Sequence, residues 1–342
     1  MSHNLAPLIN KITTNQPYES AEMREAFTSI MSGEVSAAQI AAFLVGLKMR
    51  GETPSDIAAG AQTLRAMATI ITAPEGAIDI VGTGGDGVGT YNISTATAFV
   101  LAGAGVTVAK HGNRAVSSKS GAADILTSLG VNLDCDFGLL EAALDEAGVC
   151  FLMAPRHHAA MRHVGPIRAE LGTRTIFNLL GPLSNPALVS RLMVGVYDEM
   201  WLRPFAEALH QLGTTHAMIV HGSDGLDEAT ITGPTYAVML QNGTITEHEF
   251  HPADCGISIA TIADIKGGTP DENAAALRAL LNNEADASNA YRDITLFNAA
   301  LAMIGTGHET DLTAAFARAS ESLSSCAAQK ALSSLISVTN RG

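Results

Sequence analysis

Residues 78–95 read IDIVGTGGDGVGTYNIST, and this segment decides the fold class. A short strand from Ile78 to Val81 leads into a glycine-rich run at 82–90, and a helix of small residues follows from about Ser94 to Ala104. The order strand, glycine-rich turn, helix is typical of α/β proteins, in which helices cover a largely parallel sheet. The segment therefore predicts an α/β domain whose first strand ends at a ligand-binding turn.

Further strand signals lie downstream of this segment. Short apolar stretches between helical regions predict buried parallel strands at Val106–Ala109, Val149–Met153 and Ala217–His221. Alternating residues on both sides of Asn242-Gly243 predict an antiparallel hairpin. The sequence after about residue 270 predicts helices. We expect a central sheet that is mostly parallel.

The first 70 or so residues carry helix signals and almost no strand signal. Ser20 precedes an apolar stripe of helical spacing, and Ser36 with Gln39 forms a capping-box pattern ahead of a second stripe. Thr53-Pro54 supplies the N-cap and first-turn residues of a third helix. These patterns predict a small helical unit.

A domain boundary falls near the Ala-Pro-Glu-Gly turn, where the sequence becomes strand-like. We expect a helical domain over residues 1–72 and an α/β domain over residues 73–342. The helical unit is too small to bury much by itself. Its apolar faces are therefore expected to pack on the main domain or on a second subunit.

Composition limits the classes of function. The 342 residues are 47% hydrophobic, which excludes a disordered protein, and a formal net charge of −14 argues against a nucleic-acid-binding surface. No apolar run is long enough to predict a membrane span, and the first residues lack the layout of a signal peptide. Four scattered cysteines without a C-x-x-C pair indicate reduced thiols. We expect a cytoplasmic protein with no nucleic-acid or membrane partner.

The glycine-rich run at 82–90 has the layout of a phosphate-binding loop. Glycines let backbone N–H groups point at phosphate oxygens, and the helix start at Asn92, Ser94 and Thr95 adds donors and partial positive charge. The run fits neither the GxGxxG nor the GxxxxGK[ST] pattern. On the glycines alone, an ordinary tight turn is an equally good interpretation.

Charge distribution favours the phosphate interpretation. No acidic residue lies between Asp86 and Asp124, whereas Lys110, Arg114 and Lys119 fall within this window. In an acidic protein, this distribution predicts a local electropositive pocket for a polyanion. The alternative is a solvated surface loop.

Asp224, Asp227 and Glu228 directly follow the strand predicted at 217–221. Magnesium prefers one or two protein carboxylates, with substrate phosphate oxygens and water completing its octahedron. The acidic cluster therefore predicts a magnesium site, and a turn with solvated acids is the alternative.

A second basic stretch contains four arginines and three histidines between residues 156 and 174. The planar guanidinium group suits a carboxylate, which it can hold by two parallel hydrogen bonds. Composition does not select one of Arg156, Arg162, Arg168 and Arg174.

Four motifs, taken in order and spacing, are more specific than any single loop. They read GTGGDGVGTYNIST at 82–95, KHGNRAVSSKSG at 110–121, VGPIRAELGTRTIFNLLGPLSNP at 164–186 and HGSDGLDE at 221–228, preceded by GEVSAAQIAAFLVGLKMRGET at 33–53. Together they resemble the anthranilate phosphoribosyltransferase family along nearly the whole chain.

The resemblance implies a nucleoside phosphorylase-like fold, with a small N-terminal helical domain and a larger α/β domain. It places the active site in the hinge cleft, with part of about 165–190 packing there, and implies a homodimer formed through the helical part. The implied reaction transfers the 5-phosphoribosyl group of phosphoribosyl pyrophosphate (PRPP) to the amino group of anthranilate in tryptophan biosynthesis. The implied cofactor is Mg²⁺, with two ions when PRPP is bound.

The resemblance also implies site residues. PRPP would be held by Gly82, Gly85, Asp86, Thr90, Asn92, Ile93, Ser94, Thr95, Lys110, His111, Gly112, Asn113, Arg114, Ala115, Val116, Ser117, Ser118 and Ala122. Anthranilate would contact Gly82, Asn113, His158 and Arg168, so that motif position selects Arg168 among the four arginines. Ser94, Asp227 and Glu228 would ligate Mg²⁺. No general base is implied, because an arylamine is already neutral at pH 7.

Two positions depart from the family pattern, which usually has Pro at Ala159 and Ser at Ala122. We expect these departures to affect substrate affinity rather than reaction type. The alternatives are a pyrimidine nucleoside phosphorylase, which shares the fold, and a non-catalytic relative that binds a metabolite or nucleic acid. Asn113-Arg114, Arg168 and Asp227-Glu228 favour PRPP and a carboxylate acceptor over the phosphorylase.

Overall fold

The computed structural model describes residues 4–114, 120–284 and 288–341. Its seven-stranded sheet has the order β3-β2-β1-β4-β5-β6-β7. The strands are β1 (Ile78–Gly82), β2 (Val108–Gly112), β3 (Val149–Met153), β4 (Arg191–Gly195), β5 (His216–Gly222), β6 (Thr235–Gln241) and β7 (Thr244–Phe250). Strands β1 to β5 are parallel and the last two are antiparallel, which confirms the mostly parallel sheet.

Helices cover the sheet and form the N-terminal bundle. They are α1 (Ala6–Thr13), α2 (Ser20–Met31), α3 (Ala37–Arg50), α4 (Pro54–Ala66), α5 (Ile93–Gly103), α6 (Ala122–Leu129), α7 (Phe137–Ala147), α8 (Ala154–His157), α9 (Gly165–Leu171), α10 (Phe177–Leu180), α11 (Leu202–Gln211), α12 (Pro270–Leu281), α13 (Asn289–Gly305), α14 (Leu312–Ser324) and α15 (Ala327–Thr339). Short 3-10 helices span Ala159–His163, Gly181–Leu183, Glu199–Trp201, Pro252–Cys255 and Ile262–Ile265. Within the described ranges, no helix is both long and apolar enough to cross a membrane.

The N-terminal helices begin close to where the sequence predicts. Ser36 caps α3 by accepting from the Gln39 N–H, but the Gln39 side chain bonds Asn4 and the Leu5 N–H instead of completing a capping box. The α2 cap is Glu19 rather than Ser20. Short-range patterns thus located the helices, whereas contacts with Asn4 and Leu5 engage the side chain that would have completed the α3 capping box.

Six of the seven strands were predicted, although not with every boundary correct. Strand β2 begins two residues later than expected and ends at Gly112, so Lys110 and His111 lie within the sheet rather than beyond it. Strand β4 was not predicted. The hairpin at Asn242-Gly243 is confirmed, and both of its turn residues have positive φ, as a tight hairpin requires.

Segment 164–190 contacts both the helical bundle and the sheet. Leu180 packs so closely on Gly60 of α4 that a Cβ there would overlap its side chain. Arg65 donates to the Leu183 carbonyl at 2.7 Å, and Lys48 donates to the Thr173 hydroxyl. The segment therefore lies between the bundle and the carboxyl ends of the strands.

A buried carboxylate organises the bundle. Asp56 is almost fully buried and accepts hydrogen bonds from the Tyr18 hydroxyl at 2.6 Å, from the Thr53 backbone at 2.9 Å and from Arg50. It also completes the capping box of α4 with Thr53. One side chain thus joins the start of α4 to the end of α3 and to the segment before α2.

We predict that Asp56→Ala lowers the free energy of unfolding by about 3–5 kcal/mol, because Arg50 would keep a largely buried charge without its partner. Urea unfolding followed by circular dichroism measures the loss. Asp311→Ala is the control: it removes an exposed N-cap of α14 and should cost only about 1 kcal/mol. Equal losses in the two variants would contradict a special contribution of the buried pair.

Candidate active site

The floor of the candidate site is a pair of glycines. Gly82 ends β1 and lies opposite Gly195, which ends β4. A Cβ at Gly82 would overlap the Asp227 carboxylate, and one at Gly195 would overlap the Asp227 carbonyl oxygen. The absence of both side chains therefore lets the loop after β5 cross directly over the two strand ends. The strand order reverses at this point, where open α/β sheets bind ligands.

Acidic side chains converge above this floor. Burial, and secondarily the nearby Asp86, raises the pKa of Asp227 to about 7. Burial, and secondarily Asp227, raises the pKa of Glu228 to about 8, although Lys110 and the backbone of Ser94 favour its ionised form. Carboxyl groups that raise each other's pKa in this way are stabilised by a bound cation. The donor set therefore fits a hard divalent metal ion.

A complete protein cage for a metal is not formed. Within the described parts of the chain, no three His, Cys, Asp or Glu side chains are arranged to hold a metal ion. Magnesium usually takes one or two protein carboxylates and leaves its other positions to water and substrate phosphates. Asp227 and Glu228, with the Ser94 hydroxyl beside Lys110 at 3.2 Å, match that partial set.

The third acidic residue of the cluster has a structural role. Asp224 accepts from the Thr230 hydroxyl at 2.5 Å and from the Thr232 hydroxyl at 2.6 Å. It also accepts from the Leu226 N–H at 3.2 Å. Both Asp224 oxygens thus accept hydrogen bonds within its own loop and shape the turn that presents Asp227.

The glycine-rich loop after β1 contacts the loop after β5 that carries Asp227. Four of its residues have the left-handed φ that glycine accommodates without strain: Gly84, Gly85, Gly87 and Gly89. The Gly84 N–H donates to the Asp227 carboxylate at 2.6 Å, and Arg174 donates to the Gly85 carbonyl. The loop thus joins the Asp227 carboxylate to segment 164–190.

Lys110 is not part of an open basic pocket. It is buried in β2, and its ammonium donates to the Ile80 carbonyl at 2.6 Å. Burial lowers the pKa of Lys110, while Asp79, Glu228 and Asp227 oppose that effect. The expected electropositive pocket is therefore partly balanced by acids from other strands, which a sequence window cannot include.

The residues at the start of α5 differ in their surroundings. Asn92 bonds Ser120 and Asn273, and Thr90 pairs with Lys266, so both hold the glycine-rich loop to neighbouring segments. Ile93 is buried. Thr95 is also buried, and its hydroxyl, which has no protein partner, lines an internal cavity of about 10 Å³, the size of one water molecule.

Two histidine side chains, His111 of β2 and His158, are in contact. The rings of His111 and His158 lie 5.2 Å apart, edge to face, and the Nε2 atom of each is buried without a protein partner. Burial, and secondarily His158, lowers the pKa of His111 to about 3, and burial, and secondarily His157, lowers the pKa of His158 to about 4. Both rings are neutral at pH 7 and can offer an uncharged hydrogen bond to a ligand.

Arg168 lies on α9 with neutral partners. Its guanidinium lies 5.6 Å from the centre of the Phe177 ring and contacts the Asn178 side chain at 3.5 Å. Partial burial lowers its pKa without an acidic residue as a cause. Such a cation is suited to a ligand carboxylate. The other arginines have different contacts: Arg156 bonds the Leu133 carbonyl, Arg174 bonds Gly85 and Arg162 is exposed.

The segment after β2 is described in part. Arg114 pairs with Asp124 at 3.2 Å, and the Asn113 side chain accepts from the Arg114 N–H. Ala122 begins α6 and lies 3.7 Å from the position of a Cβ on Gly112, so it faces the end of β2. The PRPP assignments to Ala115, Val116, Ser117 and Ser118, and the basic residue Lys119, lie outside the described residues.

Sequence reasoning missed several residues of the site. Gly195 ends a strand that was not predicted, and Asp79 stands inside an otherwise apolar strand. Asn185 and Asn273 reach the site from distant segments. The signal available for Asp79 was a charge within a buried-strand pattern, since buried charges need partners.

Family models match most of the chain. Residues 6–68 match the glycosyl transferase family, helical bundle domain, and residues 74–329 match the glycosyl transferase family, a/b domain. An anthranilate phosphoribosyltransferase of Parvibaculum lavamentivorans is 53% identical over 333 residues, which cover 97% of each chain.

Solved structures agree with these matches. The crystal structure of anthranilate phosphoribosyltransferase from Thermus thermophilus superposes with a TM-score of 0.92 at 40% identity, covering 97% of this chain and 99% of that one. The Saccharomyces cerevisiae enzyme in complex with PRPP and Mg has a TM-score of 0.89 at 27% identity, covering 98% and 97%.

We predict that Gly195→Ala lowers the free energy of unfolding by about 1–3 kcal/mol, because the new methyl group would displace backbone of the Asp227 loop. Denaturant unfolding measures the change. The control is Gly138→Ala, at an exposed position of α7 where a Cβ meets no atom within 4 Å. A Gly195→Ala variant as stable as Gly138→Ala would show that the close approach is not a constraint.

Proposed function

The chain belongs to the anthranilate phosphoribosyltransferase family, and from that premise we propose that it transfers the 5-phosphoribosyl group of PRPP to the amino group of anthranilate. The products are N-(5-phosphoribosyl)anthranilate and pyrophosphate, and the step belongs to tryptophan biosynthesis. The observation that carries the proposal is the convergence of Asp227 and Glu228 beside the glycine-rich loop. That arrangement fits the Mg²⁺ complex of a phosphorylated substrate.

The PRPP side of the site is assigned to the loops after β1 and β2. Gly82, Gly85 and Asp86 belong to the first loop, and Lys110 and Asn113 lie at the end of β2. Ser94, Asp227 and Glu228 hold Mg²⁺, with two ions when PRPP is bound. When bound, magnesium neutralises charge on the departing pyrophosphate.

The anthranilate side is assigned to the segment beyond β3. Arg168 takes the carboxylate, since its present partners are neutral, and Gly82, Asn113 and His158 complete the contact. Arg174 connects this segment to the glycine-rich loop, so the two substrates lie on opposite sides of one crevice.

The residues act by positioning and electrostatics. The anthranilate amine attacks the ribose C1 from the face opposite the leaving pyrophosphate, which inverts that centre. The loop amides stabilise charge that develops on the leaving group, the buried Lys110 ammonium beside Ser94 adds a fixed positive charge, and Arg168 orients the acceptor. No strong base is needed in the attack, because an arylamine is neutral at pH 7. The neutral His111 and His158 therefore serve as hydrogen-bonding groups rather than as acids.

The proposal extends to the domain division, the oligomeric state and the localisation of the chain. We retain the division at residues 1–72 and 73–342, with part of 165–190 in the hinge, because the Arg65 and Lys48 contacts join the two units there. We propose a cytoplasmic homodimer formed through the helical bundle. Support comes from four free cysteines and from Met49 of α3, which is 83% exposed. A sedimentation coefficient of a single chain at micromolar concentration would contradict the dimer.

The reaction is tested by anthranilate fluorescence with the purified chain, PRPP and Mg²⁺, while pyrophosphate is assayed in parallel. We expect fluorescence loss that is matched by pyrophosphate and that needs both PRPP and metal. Phosphate-dependent cleavage of a pyrimidine nucleoside, without fluorescence loss, would favour the phosphorylase alternative. Folded protein without either activity would overturn the proposal.

We predict that Arg168→Ala raises the KM for anthranilate at least about tenfold and leaves the KM for PRPP nearly unchanged, since a charged hydrogen bond contributes about 1.5–3 kcal/mol. Steady-state kinetics with each substrate varied measures both constants. Arg162→Ala, an exposed arginine of the same stretch, is the matched control and should behave as the wild type. An unchanged KM for anthranilate in Arg168→Ala would remove the assignment.

A further inference from the structure

Strands β1 and β2 separate at the end that faces the site. Their register pairs Ile78 with Val108, whereas β2 pairs with β3, and β1 with β4, over five positions each. Beyond this first pair, side chains take up the backbone groups that a regular ladder would join. The Lys110 ammonium donates to the Ile80 carbonyl at 2.6 Å, and the His111 N–H donates to the Asp79 carboxylate at 3.0 Å.

Asn185, from a distant segment, adds further side-chain hydrogen bonds between β1 and β2. Its side-chain amide donates to the Asp79 carboxylate at 2.7 Å and to the Ala109 carbonyl at 2.7 Å. Its own oxygen accepts from the Ala187 N–H at 2.8 Å. Asp79 and Asn185 are both almost fully buried. Each polar atom of this pair has a partner, and the two side chains span the opening between β1 and β2.

Burying Asp79 and Asn185 costs free energy that packing alone does not explain. A buried carboxylate is expensive unless its hydrogen bonds are satisfied, and a leucine or valine pair would fill a sheet interior more cheaply. What the polar pair supplies is a fixed separation of two strand ends. The end of β1 and the loop after it carry residues 82–90, and the end of β2 carries Lys110 and His111.

We propose that Asp79 and Asn185 are a positioning pair that holds β1 and β2 apart and so sets the distance between the two loops that bind PRPP. Neither residue touches the substrate, and the inference rests on the proposed function. Asp79, which belongs to β1, acts on β2 through the His111 N–H. Asn185 acts on β2 through the Ala109 carbonyl. Arg168, which lies on α9, is not held by either residue.

Asp79→Asn tests the pair with little change of volume. Whichever way the new amide is turned, its NH2 group faces another donor, either the Asn185 amide or the His111 N–H. We expect the Kd for PRPP, measured by calorimetry with Mg²⁺, to rise at least about tenfold. We expect the KM for anthranilate at saturating PRPP to stay within about twofold of the wild type.

The exchanged pair, Asp79→Asn with Asn185→Asp, is the rescue variant. It restores the charge and a donor facing an acceptor, and it keeps an acceptor for the His111 and Ala187 amides. The Ala109 carbonyl loses its donor and faces a carboxylate oxygen, so we expect the recovery to be incomplete. We expect its Kd for PRPP to return to within about threefold of the wild type. A residue needed only for folding would change the fraction of folded protein but not the Kd for PRPP of the folded protein, which is the constant that calorimetry gives.

Ser322→Ala is the control for a general loss of stability, because its buried hydroxyl on α14 bonds the Val100 carbonyl in the last two turns of α5, away from the start of that helix at the site. It should lower stability without changing PRPP binding. An unchanged Kd in Asp79→Asn, or an exchanged pair that binds no better than the single variant, would overturn the proposal. If Asp79→Asn does not fold, the exchanged pair must fold and bind PRPP, and its failure would also overturn the proposal. Absence of PRPP binding by the wild type would instead overturn the proposed function itself.

Discussion

The site depends on the close approach of the Asp227 loop to the backbone at the ends of β1 and β4. Two glycines in register leave no side chains between the sheet and that loop. The approach brings the Asp227 carboxylate within 2.6 Å of the Gly84 N–H, and it places Glu228 beside the backbone of Ser94 at the start of α5. The Asp227 loop thus contacts the two strand ends, the glycine-rich loop and the start of α5. A shift of this loop would move all three relative to one another.

Several ionisable groups are buried around the Asp227 loop, and this arrangement costs stability. Asp79 and Lys110 lie within the sheet, and Asp227 and Glu228 lie above it. The same burial keeps His111 and His158 neutral. An enclosed site with fixed dipoles stabilises developing charge better than water does, because the groups need not reorganise during the reaction. The apolar residues that fill almost all other interior positions of the sheet offset the free energy lost by burying these charged groups.

The sequence predicted those features that depend on short segments. The glycine-rich turn after β1, the hairpin at Asn242-Gly243 and the Thr53 cap each have a local signature, and the structure confirms them. Contacts between distant segments were not predictable in this way. The partners of Asp224 are two threonines inside its own loop, and Asn185 meets Asp79 across more than a hundred residues. The resemblance to a family supplied residue roles, but not the separation of β1 and β2.

The strand order has a consequence during protein synthesis. Strand β1 is an interior strand, the third of seven in the finished sheet, but its partner β4 follows roughly 110 residues later, so a ribosome needs on the order of ten seconds to supply it. Throughout that interval β1 has an open edge, which is a template for pairing with other nascent chains. A charged side chain on such an edge discourages this pairing. Asp79 is the one charged residue of β1, and its carboxylate lacks the Asn185 partner until that segment has been synthesised.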